Sequence, residues 1–216
     1  MHGKRNGKGK KYFGKNNLIF EGEFLNGERN GKGKEYDSYG RLTFEGQYLY
    51  NYQIKGKAYI LEKLEFEGEY RYNRKWHGKG YNKYGSIIYE LINGKGKVRD
   101  YYGDGSLYFE GEYLDGKRTG KGRQYQGNNN LEFKGNYLNG LKNGKGKEYD
   151  KYGDLIFEGE FINDERNGKG KEYNKYGDLI FEGIYLNGER KKGKEYDVDG
   201  DLIFKGEYSK GKPKEY

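Results

Sequence analysis

The 216-residue chain has a net charge of +8, 35% charged and 32% hydrophobic residues, no cysteine and a single proline. The lack of cysteine excludes disulfides and thiolate metal sites, and no window approaches the ~20 apolar residues of a membrane-spanning helix. So little apolar surface argues for disorder, but 26 tyrosines, 11 phenylalanines and the near absence of proline argue for a folded chain with a thin aromatic core.

The N-terminal segment MHGKRNGKGKKY has no apolar stretch of the kind that marks a secretory signal. It matches the second half of the unit that follows, so the array begins mid-unit at residues 1–12. Either the sequence is a fragment, or another element covers that edge. The first full unit, FEGEFLNGERNGKGKEY from Phe20 to Tyr36, returns nearly unchanged at 157–173 as FEGEFINDERNGKGKEY.

Within it a period of two places Phe20, Gly22 and Phe24 on one face and Glu21 and Glu23 on the other. Asn26-Gly27 is a turn signal. A hairpin centred between Gly27 and Glu28 sets Phe24 opposite Gly31, Gly22 opposite Gly33, Glu21 opposite Lys34 and Glu23 opposite Lys32. The copy at 157–171 sets Glu158 and Glu160 opposite Lys171 and Lys169. Each opposite-charge pair is worth about 0.2–1 kcal/mol. One face is then rings over glycines, and the other is solvated charge. A phosphate-cradling role for GKGKEY fails, because the Gly-x-x-x-x-Gly-Lys-Ser/Thr spacing is absent and no helix follows.

A second turn is expected in the linker Tyr36–Leu42, and further copies centre on Gly46 and Gly68. The stretch of about 48–102 is irregular. It holds the lone tryptophan, in Arg74-Lys75-Trp76-His77, and a degenerate copy, Tyr89-Glu90-Leu91, whose hairpin has lost six residues before Gly94. Its functional reading is a partner-docking region at Trp76, His77 and Tyr89, or a bend in the sheet; its bland reading is repeat drift. Regular copies resume at Gly111, Gly135, Gly159, Gly183 and Gly206, spaced by 24, 24, 24 and 23 residues. In the terminal segment 204–216, Pro213 stands where other copies have glycine. Proline and lysines on an edge strand block sheet-to-sheet aggregation, so this segment reads as a cap.

A fixed period of this length marks a stacked repeat architecture. The expectation is an all-β chain, one elongated, twisted, single antiparallel sheet of hairpin repeats over residues 1–216, about two strands to each 23–24-residue unit.

The run Phe20-Glu21-Gly22-Glu23-Phe24-Leu25-Asn26-Gly27-Glu28-Arg29-Asn30-Gly31-Lys32-Gly33 resembles the MORN (membrane occupation and recognition nexus) repeat, whose pattern is Tyr-x-Gly-x-Trp-x-x-Gly-x-x-x-Gly-x-Gly. Phe or Tyr replaces the usual Tyr and Trp. The linkers of the type Lys147–Leu155 resemble those of a bacterial variant found in antitoxin-like proteins. The resemblance implies protein–protein association, self-association included, and in some members attachment near membranes.

An enzyme is not expected: no nucleophile–base pair stands out, and the carboxylates are accounted for by lysine pairing. No cofactor is expected, and no metal site, since His2 and His77 lie far apart in the array. The leading reading is a non-catalytic, cytoplasmic scaffold for a protein partner, with membrane or cytoskeletal association as a variant. An antitoxin-like inhibitor that covers a partner enzyme is the alternative. Anionic-lipid contact is weakened by glutamates interleaved with the lysines. Nucleic-acid binding is weaker still, because the regular aromatics lie largely on the face opposite the lysines.

Overall fold

The computed structural model describes residues 4–209 and 212–214; expectations that fall on residues 1–3, including His2, or on 210, 211, 215 and 216 lie outside the described residues. The first strands are β1 (Gly7–Phe13), β2 (Asn17–Leu25), β3 (Glu28–Tyr36), β4 (Leu42–Leu49), β5 (Tyr52–Ile60), β6 (Lys63–Arg71), β7 (Arg74–Tyr81) and β8 (Ile87–Leu91). They are followed by β9 (Gly96–Tyr101), β10 (Leu107–Leu114), β11 (Lys117–Tyr125), β12 (Leu131–Leu138), β13 (Leu141–Tyr149) and β14 (Leu155–Ile162). The series continues with β15 (Glu165–Tyr173), β16 (Leu179–Leu186), β17 (Glu189–Tyr196), β18 (Leu202–Ser209) and β19 (Lys212–Pro213).

The described residues are all-β and antiparallel, and within each sheet the strands pair with their neighbours in sequence, as the repeat requires. The expected single sheet is corrected to two, β1 to β8 and β9 to β19. In a regular hairpin two glycines face each other, and a Cβ on Gly22 would stand 2.6 Å from the Cα of Gly33. At the break that glycine is Leu91, and the aromatic due two residues later is Asn93, which instead forms the turn with Gly94. Beyond Leu91 the pairing continues, among the described residues, as an isolated bridge from Ile92 to Lys95. The chain forms two compact units: residues to Ser106 with Tyr113–Gly116, and Leu107–Glu112 with Lys117 onward.

The hairpin register is also corrected in part. Gly22 faces Gly33 and Glu21 faces Lys34, but Phe24 faces Arg29 and Leu25 faces Glu28. The turn is therefore the two-residue Asn26-Gly27, both at positive φ (53° and 88°), as a type I′ turn demands. The extra residues form a bulge around Gly31. The glycine that faces the second aromatic belongs to the strand before it: Gly7 opposite Phe24, and Gly31 opposite Tyr48. Likewise Glu158 faces Lys171, whereas Glu160 faces Lys145.

The core is a ladder of rings in edge-to-face contact, a geometry favoured by the ring quadrupole. In the first unit Phe20, Tyr48, Phe44 and Tyr70 follow one another at centroid distances of 5.2–5.5 Å. In the second, Phe133, Phe161, Phe157, Tyr185 and Phe181 repeat the pattern. Phe20, Phe66, Phe109, Phe133, Phe157 and Phe181 are wholly buried. Each of these first-position rings packs over glycines: Phe20 over Gly22 and Gly33, Phe157 over Gly159 and Gly170. The same pairing recurs at Gly46, Gly111, Gly135, Gly183 and Gly206, each with the preceding Phe against it.

Candidate functional site

The aromatic face is closed by the chain itself. Arg29 lies 4.5 Å from the centroid of Phe20 and bonds Glu35. Arg166 lies 4.2 Å from Phe157 and reaches Glu148 at 2.8 Å, and Arg190 lies 4.4 Å from Phe181. Glu172, held between Arg190 and Arg166 and bonded by the Tyr185 hydroxyl at 2.6 Å, stays below the usual carboxylate range although burial opposes this. An aromatic, glycine-lined groove on this side, the form a curved sheet would give it, is therefore not what the structure presents.

The roof changes in the irregular middle. There the acidic position is occupied by Ala58 in β5 and Gly80 in β7, opposite Phe44 and Phe66. The roof cation, Lys75, finds Glu65 at 2.6 Å and Asp100 at 3.0 Å instead, with the Tyr89 hydroxyl at 3.2 Å. Glu65 comes from the bulge between Leu64 and Phe66, where the regular repeats place Ile19, Ile156 or Ile180. Burial pushes the Glu65 carboxyl up, and Lys75 only partly offsets it. Burial also opposes the Lys75 ammonium, but Asp100 and Glu65 outweigh it and raise its pKa well above the ordinary value. The result is a fixed ion cluster without a free base.

The opposite face is open. In the first unit it forms a groove of about 1000 Å³ with a floor of glycine backbone, at Gly22, Gly33, Gly46 and Gly56 among others. Its walls are rows of lysine and glutamate that alternate from strand to strand: Lys10, Glu21, Lys34, Glu45, Lys57 and Glu67. Tyrosines stand on this same face at the strand ends, whereas the regular aromatics of the repeat, Phe20 and Phe24 among them, lie on the other. Their hydroxyls are tied to the glutamates: Tyr36 to Glu21 and Tyr59 to Glu45 at 2.6 Å, and Tyr173 to Glu158 at 2.8 Å. Burial and the bond to Glu21 push the Tyr36 phenol up to about 12, and that same bond, with Lys10, holds Glu21 below its usual range.

The structure does not gather Trp76, His77 and Tyr89 on one surface. Tyr89 is 8% exposed and stacks on Phe66. Trp76 is half-buried, the bulged residue of β7, and packs on Gly94 with Arg71 5.0 Å from its ring. His77 is exposed opposite Glu69, one step beyond the end of the groove. The ion cluster beside them was missed by sequence reading; its signal was the loss of acid at positions 58 and 80 with a gain of acid at 65. Among the described residues, no helix is long and apolar enough to cross a membrane.

Paired glycines under a first-position aromatic, with a tight turn and a bulge after it, repeat through the sheets. The MORN repeat model matches residues 1–18, 20–43, 109–130, 133–153 and 157–175. The chain is a MORN-repeat protein. The MORN matches leave out 44–108, the stretch that contains the altered roof and the end of the first sheet. MORN repeats are in general interaction scaffolds, for proteins or at membranes. Comparison with curated proteins returned no match.

Proposed function

We propose that this protein is a non-catalytic scaffold, and that its docking surface is the glycine-floored groove of the first unit. The observation that supports this is a long recess with no side chain in its floor and lysines and glutamates presented in register along both walls. A partner backbone or helix laid there meets protein backbone directly and charge on either side. His77, opposite Glu69, continues the charged face one step beyond Gly68. The carboxylates that would be needed for acid–base chemistry are held by lysines and tyrosines, so the face is built to recognise rather than to react.

The test is site-directed photo-cross-linking in extract of the native host. A photoreactive residue replaces Gln47 in the groove or, as a control, exposed Asp199 in a turn of the second unit. A discrete protein adduct from position 47 and none from 199 supports the groove. Equal adducts from both positions, or none from 47, overturn it. An adduct that proves to be an enzyme silenced by binding would make the scaffold an inhibitor.

A further inference from the structure

Four hairpins carry a bulge with glycine at positive φ: Gly31, Gly120, Gly144 and Gly168, at 103°, 55°, 94° and 97°. In three of them a glutamate of the facing strand fills the space over that glycine: Glu23, Glu112 and Glu160 would each collide with a Cβ placed there. Two of these carboxylates also accept the next backbone N–H, Lys32 to Glu23 at 3.1 Å and Lys169 to Glu160 at 2.9 Å. The bulge is thus a carboxylate slot that the chain fills for itself.

The β12–β13 hairpin leaves it unfilled. Asn136 takes the glutamate position and stands back, its nearest atoms 3.4 Å from where a Gly144 Cβ would be. The same hairpin has lost two further acids. Lys134 replaces the glutamate found at Glu21 and Glu158, and Leu141 replaces the one at Glu28 and Glu165.

Lys134 consequently faces Arg123 on one side and Lys147 on the other, with Lys121 and Lys145 alongside, all exposed. Like charges in direct register oppose pairing, so the fold gains nothing from this arrangement. Arg123 and Lys147 have acidic partners, Glu110 at 3.0 Å and Glu158 at 2.8 Å. Lys121, Lys134 and Lys145 form no ion pair among the described residues. Leu138 and Leu141 face each other at the end of the patch, 52% and 39% exposed.

We propose that this face of β11–β13 binds an acidic peptide segment of a protein partner, one carboxylate of which enters the bulge over Gly144 in place of the missing glutamate. The neighbouring lysines take flanking carboxylates, and Leu138 and Leu141 take an apolar residue of the same segment. Carboxylate is favoured over phosphate because the sibling bulges, with the same backbone turn, hold a carboxylate. This surface lies in the second unit and the groove in the first, so either reading can fail while the other stands.

The test is fluorescence anisotropy of a labelled peptide, Leu-Glu-Glu-Leu-Glu-Glu, titrated with the full chain at low salt. The variant K134E/N136E restores the sibling sequence and keeps the fold, and its affinity should fall by about tenfold or more, roughly 1.4 kcal/mol. The groove variant K55Q/K57Q should bind as the parent does. N136E alone should raise the melting temperature, because the slot is filled again. Absence of peptide binding, undiminished binding by K134E/N136E, or a lower melting temperature for N136E would each overturn the proposal. So would displacement of the peptide by a single-stranded oligonucleotide or phosphatidylserine vesicles at lower concentration than by unlabelled peptide.

Discussion

At the residue scale, the second aromatic of each unit shows how one position tolerates two chemistries. Phe24 and Phe161 occupy it, and so do Tyr70, Tyr137 and Tyr185. Tyr185 donates to Glu172 at 2.6 Å, whereas the buried hydroxyls of Tyr70 and Tyr137 have no partner among the described residues. A buried hydroxyl without a bond costs about 1–3 kcal/mol, and one bonded to a charged group contributes a similar amount. Tyr137→Phe should therefore stabilise the protein by about 1 kcal/mol, and Tyr185→Phe should destabilise it by about 1–2 kcal/mol. Urea denaturation of the two variants beside the parent measures both. Equal shifts would mean that the Glu172 bond contributes nothing.

At the element scale, the roof over the rings behaves as a set of interchangeable parts. A cation lies on the first-position rings Phe66, Phe133, Phe157 and Phe181 and needs an acid; β13 and β15 supply Glu148 and Glu172, and the middle of the chain supplies Glu65 from a bulge. Gly80 cannot carry the acid, because the Tyr89 ring occupies the space a side chain would need. Ala58 faces Phe44 as Glu148 faces Phe133, so it is the equivalent position. Glu65→Ile should cost about 2–3 kcal/mol, less than a fully broken buried pair because Asp100 remains. Ala58→Glu added to it should recover most of that loss. A double-mutant cycle in thermal unfolding reads the coupling, and simple additivity of the two changes would refute the substitution of one acid for the other.

At the scale of the whole molecule, pairing between sequence neighbours makes stability a sum of local terms. Removing residues 133–156, one full period, brings Phe157 to the place of Phe133 and keeps every face. The shortened protein should keep a sheet-like circular dichroism spectrum and a cooperative melt. Removing 133–144 exchanges the faces and should abolish that melt. Similar behaviour of the two deletions would argue against a modular array.

Acid acts on the whole array as well. Glu21, Glu158, Glu172 and Glu182 all sit below the usual carboxylate range when folded, through tyrosine, lysine and arginine partners. Their contribution is present above the unfolded value of about 4.3 and is lost as pH falls through the folded values. Glu65, raised by burial, runs the other way: its contribution is full in acid and is lost as pH rises through its folded value. With more carboxylates lowered than raised, Asp37 and Asp104 among the lowered ones, the melting temperature should fall steadily as pH drops below about 4.5. In Glu65→Ile the fall should be steeper, because the opposing group is gone. A melting temperature that rises toward pH 3 would contradict these assignments.

The amino-acid sequence by itself determined the repeat, the strand-and-turn punctuation and the pairing of Gly22 with Gly33 and Glu21 with Lys34, because a period of two and an Asn-Gly turn are local properties. It also marked the middle as the place where the pattern fails. Three things were decided only by tertiary structure. The bulge at Gly31 shifted Phe24 from its expected partner to a glycine on the preceding strand, since the carboxylate of Glu23 fills that bulge from across the hairpin. The end of the first sheet fell at Leu91, where leucine stands in place of one glycine of the pair and Asn93 in place of the second aromatic. The roof of arginines, lysines and glutamates closed the aromatic face and left the charged one open, which depends on side chains from successive hairpins meeting above a ring. Spacing along one chain carries no record of such meetings.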